Sequence, residues 1–466
     1  MAAAMTPSKF DALQEVPVLF EEHQFTRTYV MNRPKALNAL NEEMIDLMRP
    51  KLDLWNYTPG CKIIIGTGKG RAFCAGGDVR AVVKHASEGD ASTRAKAAEY
   101  FRKEFELDYL LANLRKPYVA VLDGITMGGG LGLSVHAPFR VATENAQFAM
   151  PETKIGYAPD VGATYFLPKL DGCIGAYLAL TGNTIKGREV YELGLATHFV
   201  PSERIPKLLE RLAQLNPPDF DAVNAAIEEY AADDYSALST DLVGEKRRML
   251  DKVFGQETVE LIVEELRGLR KREDSIAAWA VTTLEELELR SPTALKVALE
   301  AYRAGKGGLT LREALLVELR FATAFCNGAS PDFITGVKAV LEDKIKGRPT
   351  WEPSTLKEVT ADDIWTRFFS PTSPFTKTMP KMDLDFVEPL NPPRDVMHFA
   401  LPSEKEIGRV IRGEEKDSGA FAVTAEDVVR WFADKSPGKP GVAAKVREVL
   451  ERKARTKKDG YLQWIH

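Results

Sequence analysis

Two glycine-rich loops are the segments of this sequence best suited to binding a negatively charged oxygen. The first contains Ala75, Gly76 and Gly77, and the second is the run of three glycines at residues 128–130. Each follows an apolar segment typical of a buried strand and precedes a predicted helix, whose first N–H groups are free for a ligand. Two converging N–H donors stabilise an oxyanion. The alternative is that the glycines only permit tight turns. A dinucleotide-binding loop fits poorly, because neither loop opens the first βα unit of the chain.

Glu152 and Asp160 are the candidates for acid–base chemistry. Both lie in loop-like segments beside apolar residues, where partial burial raises the pKa of a carboxyl group toward the range useful for proton transfer. The alternative is a local role, with Glu152 in the first turn of a helix and Asp160 capping a helix over residues 161–167. Glu104 lies on a charged helical segment and is expected to be solvated.

The cysteines and histidines indicate neither a metal site nor a disulfide framework. The four cysteines (Cys61, Cys74, Cys173 and Cys326) are scattered, and the six histidines form no cluster with metal-ligand spacing. A reducing compartment is therefore favoured. Cys74 beside the first glycine loop is predicted to be a packed thiol, because no histidine and asparagine pair supports a nucleophile there. We expect no metal and no redox cofactor.

Composition narrows the functional class. The chain has 466 residues, 44% hydrophobic and 28% charged, with 62 basic against 67 acidic residues and a net charge of −5. Such a balance argues against electrostatic capture of the whole chain by nucleic acid or an anionic membrane. No apolar run approaches the length of a membrane span. Residues 1–10 have neither the apolar core of a signal peptide nor the Arg-rich face of a transit peptide.

The elements that must position these residues are those of an α/β protein. Strands are predicted at residues 16–20, 25–31, 62–65, 118–122, 139–142 and 148–150, the first two forming a hairpin. Helices are predicted after the cap Asn41 and over residues 99–114. A unit of strand, glycine loop and short helix occurs at least twice, which favours a parallel sheet or a spiral of such units.

The second half changes character. Only helices are predicted from about residue 206, with a capping box at Thr310 and Glu313. Residues 368–402 are rich in proline and are predicted to form a surface arm. Helices over 424–432 and 442–455 follow, and the second runs into a basic stretch at residues 452–458. We therefore divide the chain into an α/β core (1–205), a helical region (206–350) and an extended arm with short helices (351–466).

Four segments together resemble the crotonase, or enoyl-CoA hydratase/isomerase, superfamily. They are residues 32–40 (NRPKALNAL), 71–78 (RAFCAGGD), 124–132 (GITMGGGLG) and 150–153 (MPET), and the likeness extends in order over residues 20–202. Further stretches, such as residues 116–119 (KPYV), 139–143 (FRVAT) and 336–344 (GVKAVLEDK), most resemble its branch of 3-hydroxyisobutyryl-CoA hydrolases.

The resemblance implies a spiral of ββα units followed by a helical region, here with a C-terminal extension. It implies that the N–H groups of Gly77 and Gly129 form an oxyanion hole for a thioester carbonyl, and that Ala75 lies near the adenine end of coenzyme A. The positions that match substrate contacts of the branch are Glu104, Gly129, Glu152 and Asp160.

One position separates the activities of the superfamily. Its hydratases carry a glutamate where this chain has Gly132, so hydration of a double bond is not expected. The resemblance implies hydrolysis of 3-hydroxyisobutyryl-CoA, with 3-hydroxypropionyl-CoA as a second substrate, in mitochondrial valine catabolism. Glu152 would attack the carbonyl or activate water. Asp160 would orient the substrate hydroxyl and assist protonation of the thiolate.

The C-terminal extension supports an alternative from another class. More than 100 residues follow the Trp351 segment, where the animal-type hydrolases end. The extension resembles fungal relatives, one of which is a component of the small subunit of the mitochondrial ribosome. Basic residues from Arg452 to Lys458 would then contact rRNA phosphates, unless they are ordinary solvated surface. Many superfamily members form trimers, so the resemblance also allows an oligomer.

Overall fold

The computed structural model describes residues 16–87, 89–216, 218–232, 237–390, 392–415 and 422–465. The prediction for residues 1–10 therefore lies outside the described residues. The strands are β1 (Val18–His23), β2 (Thr26–Met31), β3 (Ile63–Gly68), β4 (Ala72–Cys74), β5 (Tyr118–Leu122), β6 (Ile125–Met127), β7 (Phe139–Ala142), β8 (Gln147–Ala149), β9 (Ile185–Lys186), β10 (His198–Phe199), β11 (Ala454–Thr456) and β12 (Leu462–Trp464).

The strands of the first half wind as a spiral between two sheets. One sheet has the order β1-β2-β3-β5-β7-β10, and the other has the order β4-β6-β8-β9. Each turn of the spiral therefore places one strand in each sheet: β3 and β4, then β5 and β6, then β7 and β8. The predicted hairpin is confirmed by the antiparallel pairing of β1 with β2, while β2, β3, β5, β7 and β10 pair in parallel. The predicted spiral α/β fold is confirmed.

The helices of the spiral are α1 (Glu42–Tyr57), α2 (Val79–Ser87), α3 (Ala91–Ala112), α4 (Gly129–Gly132), α5 (Ala163–Phe166), α6 (Ile174–Thr181) and α7 (Arg188–Glu192). Asn41 caps α1 as predicted, accepting a hydrogen bond from the N–H of Met44 at 3.0 Å. The prediction for α3 began too late. Its first turn is fixed by Asp90, whose carboxylate accepts from the N–H groups of Ser92 and Thr93.

The helical region contains α8 (Ile205–Ala213), α9 (Phe220–Glu228), α10 (Gly244–Phe254), α11 (Val259–Leu269), α12 (Ser275–Glu288), α13 (Pro292–Lys306), α14 (Leu311–Cys326) and α15 (Asp332–Val337). A π-helical turn over Lys338–Glu342 follows α15. The capping box predicted at the start of α14 is present. Helices α8 and α9 cover one face of the larger sheet, where Ile65, Val121 and Phe139 are buried. The domain boundaries near residues 205 and 350 stay a prediction.

The tail contains α16 (Ala361–Ile364), α17 (Glu404–Arg412), α18 (Ala425–Lys435) and α19 (Val442–Lys453). Its described residues between 371 and 402 form turns and irregular chain, as predicted for the arm. This arm packs on the spiral, where the Phe399 ring stacks on Phe139 with centroids 4.8 Å apart. The prediction of α19 ran two residues too far, because residues 454–456 instead pair as β11 with β12.

The basic stretch at the end of α19 is not wholly a surface feature. Arg452 is 1% exposed, donates to Glu448 at 2.9 Å and forms an ion pair with Glu404 of α17. Arg247 of α10 also pairs with Glu404, at 3.0 Å. The expectation that Arg452 reaches nucleic acid is therefore wrong, because its charge is satisfied inside the protein. Within the described part of the chain, no helix is long and apolar enough to span a membrane.

Candidate active site

The two glycine loops meet at one cavity of about 180 Å³. Helix α3, the short helical turn Glu152–Ile155 and the π-helical turn Lys338–Glu342 complete its walls. The residues around it that were singled out from sequence are Ala75, Gly76, Gly77, Glu104, Gly128, Gly129, Glu152 and Asp160. Because these residues come from four separate segments, only the fold brings them together.

The N–H groups of Gly77 and Gly129 lie side by side and are free. Leu40 fixes the first loop from both sides: its N–H donates to the Gly76 carbonyl and its carbonyl accepts from the Asp78 N–H, each at 2.8 Å. Neither the Gly77 nor the Gly129 N–H donates a hydrogen bond to any described residue. A Cβ built on Gly129 would lie 3.2 Å from the Gly77 nitrogen. The two free donors therefore lie close together at the cavity.

Glycine is required in the second loop for conformation and for space. Gly128 has φ +47 and ψ −121, a conformation that side chains disfavour. A Cβ there would lie 2.8 Å from Glu152 Oε1, and a Cβ on Gly129 would collide with the Glu104 carboxylate. The tight-turn explanation is therefore part of the answer, and the same glycines also let two carboxylates approach the free N–H groups.

Of the two expectations for Glu104, the solvated residue inferred from its charged helix is wrong, and the substrate contact implied by the resemblance stays a prediction. Glu104 is not solvated but 2% exposed, and its Oε1 has no hydrogen-bond partner among the described residues. Helix α3 is buried on several sides, since Tyr100, Phe101 and Leu107 are in the core as well. A polar residue on such a helix faces the cavity rather than water. Burial and the charges of Asp160 and Glu152 raise the pKa of Glu104 well above its usual range.

Glu152 opens the helical turn Glu152–Ile155, so its predicted place in a first turn is right for the backbone. The side chain nevertheless contributes to the cavity: Glu152 is 7% exposed, and its Oε2 lacks a partner within the described structure. Burial first, and then the charge of Asp160, raises its pKa well above the ordinary glutamate value. A buried carboxyl group with a raised pKa beside two free donors is suited to proton transfer.

Asp160 does not cap a helix with its side chain. Helix α5 begins after Gly162, and Asp160 Oδ2 instead accepts a hydrogen bond from the Tyr157 hydroxyl at 3.0 Å. Burial raises the pKa of Asp160 to about 7, and the Tyr157 hydrogen bond limits the rise. The next residue, Val161, has φ +55, which is strained for a β-branched side chain. Such strain is typical of functional loops.

Two further buried carboxylates were missed by the sequence analysis. Glu318 of α14 accepts from the N–H groups of Gly162 at 2.7 Å and Thr164 at 2.8 Å, which fixes the loop after Asp160. Burial raises its pKa to about 8. Asp108 follows Glu104 by one helical turn and is fully buried, with no partner for either oxygen among the described residues. The sequence feature that could have revealed Asp108 is an aspartate within the apolar C-terminal end of α3.

The thiol next to the first glycine loop is inert. Cys74 is fully buried, and burial raises its pKa to about 12, in accord with the predicted packed thiol. The described residues contain no group of three or more metal-ligating side chains. The Gly132 backbone lies against Asp108, because a Cβ there would be 2.6 Å from both carboxylate oxygens.

Comparisons with known proteins agree with this geometry. The family model described as enoyl-CoA hydratase/isomerase matches residues 26–369. The human mitochondrial 3-hydroxyisobutyryl-CoA hydrolase is 43% identical, covering 77% of this chain and 90% of its own length. The small ribosomal subunit protein mS47 of Neurospora crassa is 37% identical, covering 96% of this chain and 87% of its own. A crystal structure of a carnitinyl-CoA dehydratase from Mycobacterium thermoresistibile superimposes with a TM-score of 0.67 at 33% identity, over 77% of this chain and 97% of that one.

Proposed function

The chain belongs to the enoyl-CoA hydratase/isomerase family, and from this premise we propose that it hydrolyses the thioester of 3-hydroxyisobutyryl-CoA. The observation that carries the proposal is the pair of free N–H groups, Gly77 and Gly129, beside the buried Glu152. The similarity to animal 3-hydroxyisobutyryl-CoA hydrolases supports the choice of substrate. We place 3-hydroxypropionyl-CoA second. The proposed setting is valine catabolism in mitochondria, and the names of those relatives place them in mitochondria.

The two N–H groups hold the thioester oxygen and stabilise the negative charge that develops on it during attack. In one route, Glu152 adds to the carbonyl carbon, the C–S bond breaks, and water then hydrolyses the mixed anhydride. In the other, Glu152 removes a proton from water as the resulting hydroxide adds. Both consume one water and release the acid and the thiol. Trapping with hydroxylamine distinguishes them, because only the anhydride converts Glu152 to a hydroxamate.

Proton donation to the departing thiolate is assigned to Asp160. In the productive state Asp160 is protonated and Glu152 is ionised. In the free site, burial and the charge of Asp160 raise the pKa of Glu152 well above its usual value, and burial raises the pKa of Asp160 to about 7. Catalysis therefore requires that Glu152 lose its proton while Asp160 keeps its own.

The remaining residues of the cavity bind and orient the substrate. Glu104, which lies against Gly129, would contact the acyl group, and Ala75 would lie on the coenzyme A side. No metal or redox cofactor enters the proposed chemistry, since coenzyme A is part of the substrate. Gly132 offers no carboxylate of its own, so hydration of an enoyl-CoA is not expected.

The test is release of free thiol from 3-hydroxyisobutyryl-CoA by the purified chain. Glu152→Gln and Asp160→Asn are expected to lose activity by on the order of 10²-fold or more. Glu43→Gln, an exposed position on α1, serves as the matched control and should keep full activity. Hydration of crotonyl-CoA, or full activity of both site variants, would contradict the proposal.

A second candidate function is participation in the mitochondrial small ribosomal subunit. The specific observation favouring it is that mS47 matches 96% of this chain, and so includes the tail. Of the basic stretch, Arg455, Lys457 and Lys458 are exposed and would remain available for phosphate contacts. Co-sedimentation with mitochondrial small subunits in low salt tests this role. A triple change of these residues to glutamine should abolish it and leave thioester hydrolysis unaffected.

A further inference from the structure

A second cavity, of about 370 Å³, lies outside the candidate active site. It is enclosed by α3, the first turn of α14 and the tail between residues 389 and 396. Its walls are mainly apolar and include Tyr109, Leu311 and Val396. Two polar side chains in the wall, Arg394 and His136, stand out because each makes only part of the hydrogen bonds open to it among the described residues.

Arg394 is a half-buried cation that has no acidic partner within the described residues. Its only hydrogen bond among the described residues runs from Nη1 to the Leu114 carbonyl at 3.2 Å, and its guanidinium lies 4.1 Å from the centre of the Phe220 ring. The neighbouring Asp395 accepts from the Met397 N–H instead. Burial lowers the pKa of Arg394 to about 10, so it stays charged at neutral pH. A desolvated, unpaired guanidinium favours an anion.

A second arginine in the same wall shows the contrast. Arg312 donates from Nη1 to the Asp385 carboxylate at 2.8 Å, so its charge is already paired. The cavity thus has one satisfied and one unsatisfied cation. An anion entering it would be drawn to Arg394.

His136 adds an acceptor to the cavity wall. It is 1% exposed, and its Nε2 lies 2.9 Å from the Val161 carbonyl, to which it must donate. Nδ1 is then a bare acceptor, and it has no partner among the described residues. Burial lowers the pKa of His136 to about 4, so the ring is neutral. A ligand with a hydroxyl group would supply the missing donor.

We propose that this cavity binds a small aliphatic carboxylate, preferentially one with a hydroxyl group. The carboxylate of the ligand pairs with Arg394, and the carbon chain of the ligand packs against Leu311 and Val396. The tail supplies both Arg394 and Val396, so the site is complete only with the C-terminal extension. His136 of this wall also hydrogen-bonds to the carbonyl of Val161, the strained residue that follows Asp160.

The experiment titrates the full chain with 3-hydroxybutyrate, butyrate and butanol, using ligand-observed NMR. Binding is expected in that order of strength, with butanol weakest. Arg394→Gln should weaken the binding of 3-hydroxybutyrate by on the order of tenfold, whereas Arg312→Gln should change the affinity little. Leu311→Phe narrows the cavity while keeping Arg394, and should weaken binding too. Its urea midpoint reports whether the fold is retained.

The active site is the competing location. Binding that survives Glu152→Gln and is lost in Arg394→Gln supports the second cavity. Binding lost in Glu152→Gln but kept in Arg394→Gln would place the ligand in the active site and overturn the proposal. So would butanol binding as tightly as butyrate, or no binding at all. Because the readout is binding, failure of thioester hydrolysis does not affect the result.

Discussion

Replacing Asp108 by asparagine should make the protein progressively more stable than the original as the pH rises. Asp108 is fully buried, neither oxygen has a partner in the described structure, and its surroundings are acidic or phenolic. The charges of Glu104, Asp160 and Glu318 act on the Asp108 carboxyl group, and no cation among the described residues offsets them. Burial first, and then these carboxylates, raise its pKa well above the ordinary aspartate value.

The sign and size follow from proton linkage. The unfolded chain releases the Asp108 proton near pH 4, since the pKa of an unperturbed aspartate is about 3.9. The native state keeps that proton until the pH reaches the raised native pKa. Between the two values the native state binds one proton more, so the original chain loses about 1.4 kcal/mol of unfolding free energy per pH unit. Asparagine is neutral throughout and has no such loss.

The assay is urea unfolding of the original chain and of Asp108→Asn at pH 5, 6 and 7. The difference between them should grow with pH in favour of the variant, by about 1.4 kcal/mol for each pH unit over which the native state keeps the Asp108 proton. The absolute difference at one pH is less informative, because the buried asparagine amide costs about 1–3 kcal/mol if it finds no acceptor. The exposed Asp434→Asn serves as the control and should show no such slope.

A constant difference across the three pH values would refute this reasoning, because it would mean that Asp108 is ionised in the native state. A stability difference that changes with pH in the opposite direction would mean that a cation compensates the charge of Asp108. The expected slope, in contrast, identifies a buried acid that lowers stability at neutral pH. Such a cost is typical of positions retained for function.

Three further predictions concern the site and the tail. Gly129→Ala should lower kcat for thioester hydrolysis by roughly 10²–10³-fold, because its Cβ would reach the Glu104 carboxylate and crowd the Gly77 N–H. The control Gly268→Ala has open space around the added methyl group and should leave kcat unchanged. Tyr157→Phe removes the hydrogen bond that stabilises ionised Asp160, so the pKa of Asp160 should rise. The fall of kcat/KM on the alkaline side of its pH profile, expected near pH 7, should then move to higher pH. A profile that does not move would contradict the role of Asp160 as the proton donor. Arg452→Met should lower the unfolding free energy in urea by about 3–5 kcal/mol, because it removes the arginine partner of Glu448 and leaves Glu404 with Arg247 in place of two arginines. A loss below about 1 kcal/mol would show that the cluster is hydrated.

The sequence was most informative where local pattern decides structure. The strands at residues 118–122 and 139–142 were predicted to the residue, because a parallel strand buried on both faces is a short apolar run bounded by polar or turn residues. The cap Asn41 and the capping box at Thr310 were also right, since a cap depends on residues within one helical turn. For the site, the structure brings the glycine loops, Glu152 and Asp160 to one cavity, and their catalytic roles stay a prediction.

The failures share a physical cause. Glu104 was taken as solvated and Arg452 as part of a basic surface, yet both are buried because distant segments cover them. In Arg452 the covering carboxylates come from α17 and from its own helix, 48 and 4 residues away in sequence. Asp108 and Glu318 were missed because a carboxylate on a helix is usually exposed. Which helical face is buried on this fold depends on packing that no local window contains.

The tail matters for both candidate functions, but not as a detachable arm. Removing it would expose Phe139 and leave Arg247 without Glu404 and Asp171 without Lys445, which lies 2.8 Å away. Loss of one partner from a buried pair costs more than the pair contributes. A truncated chain would therefore lose stability before it reported on either function. The free basic residues of the tail, in contrast, lie on its exposed side, and the glycine loops lie in the spiral. Point changes on these two surfaces can consequently separate ribosome association from thioester hydrolysis, whereas truncation cannot.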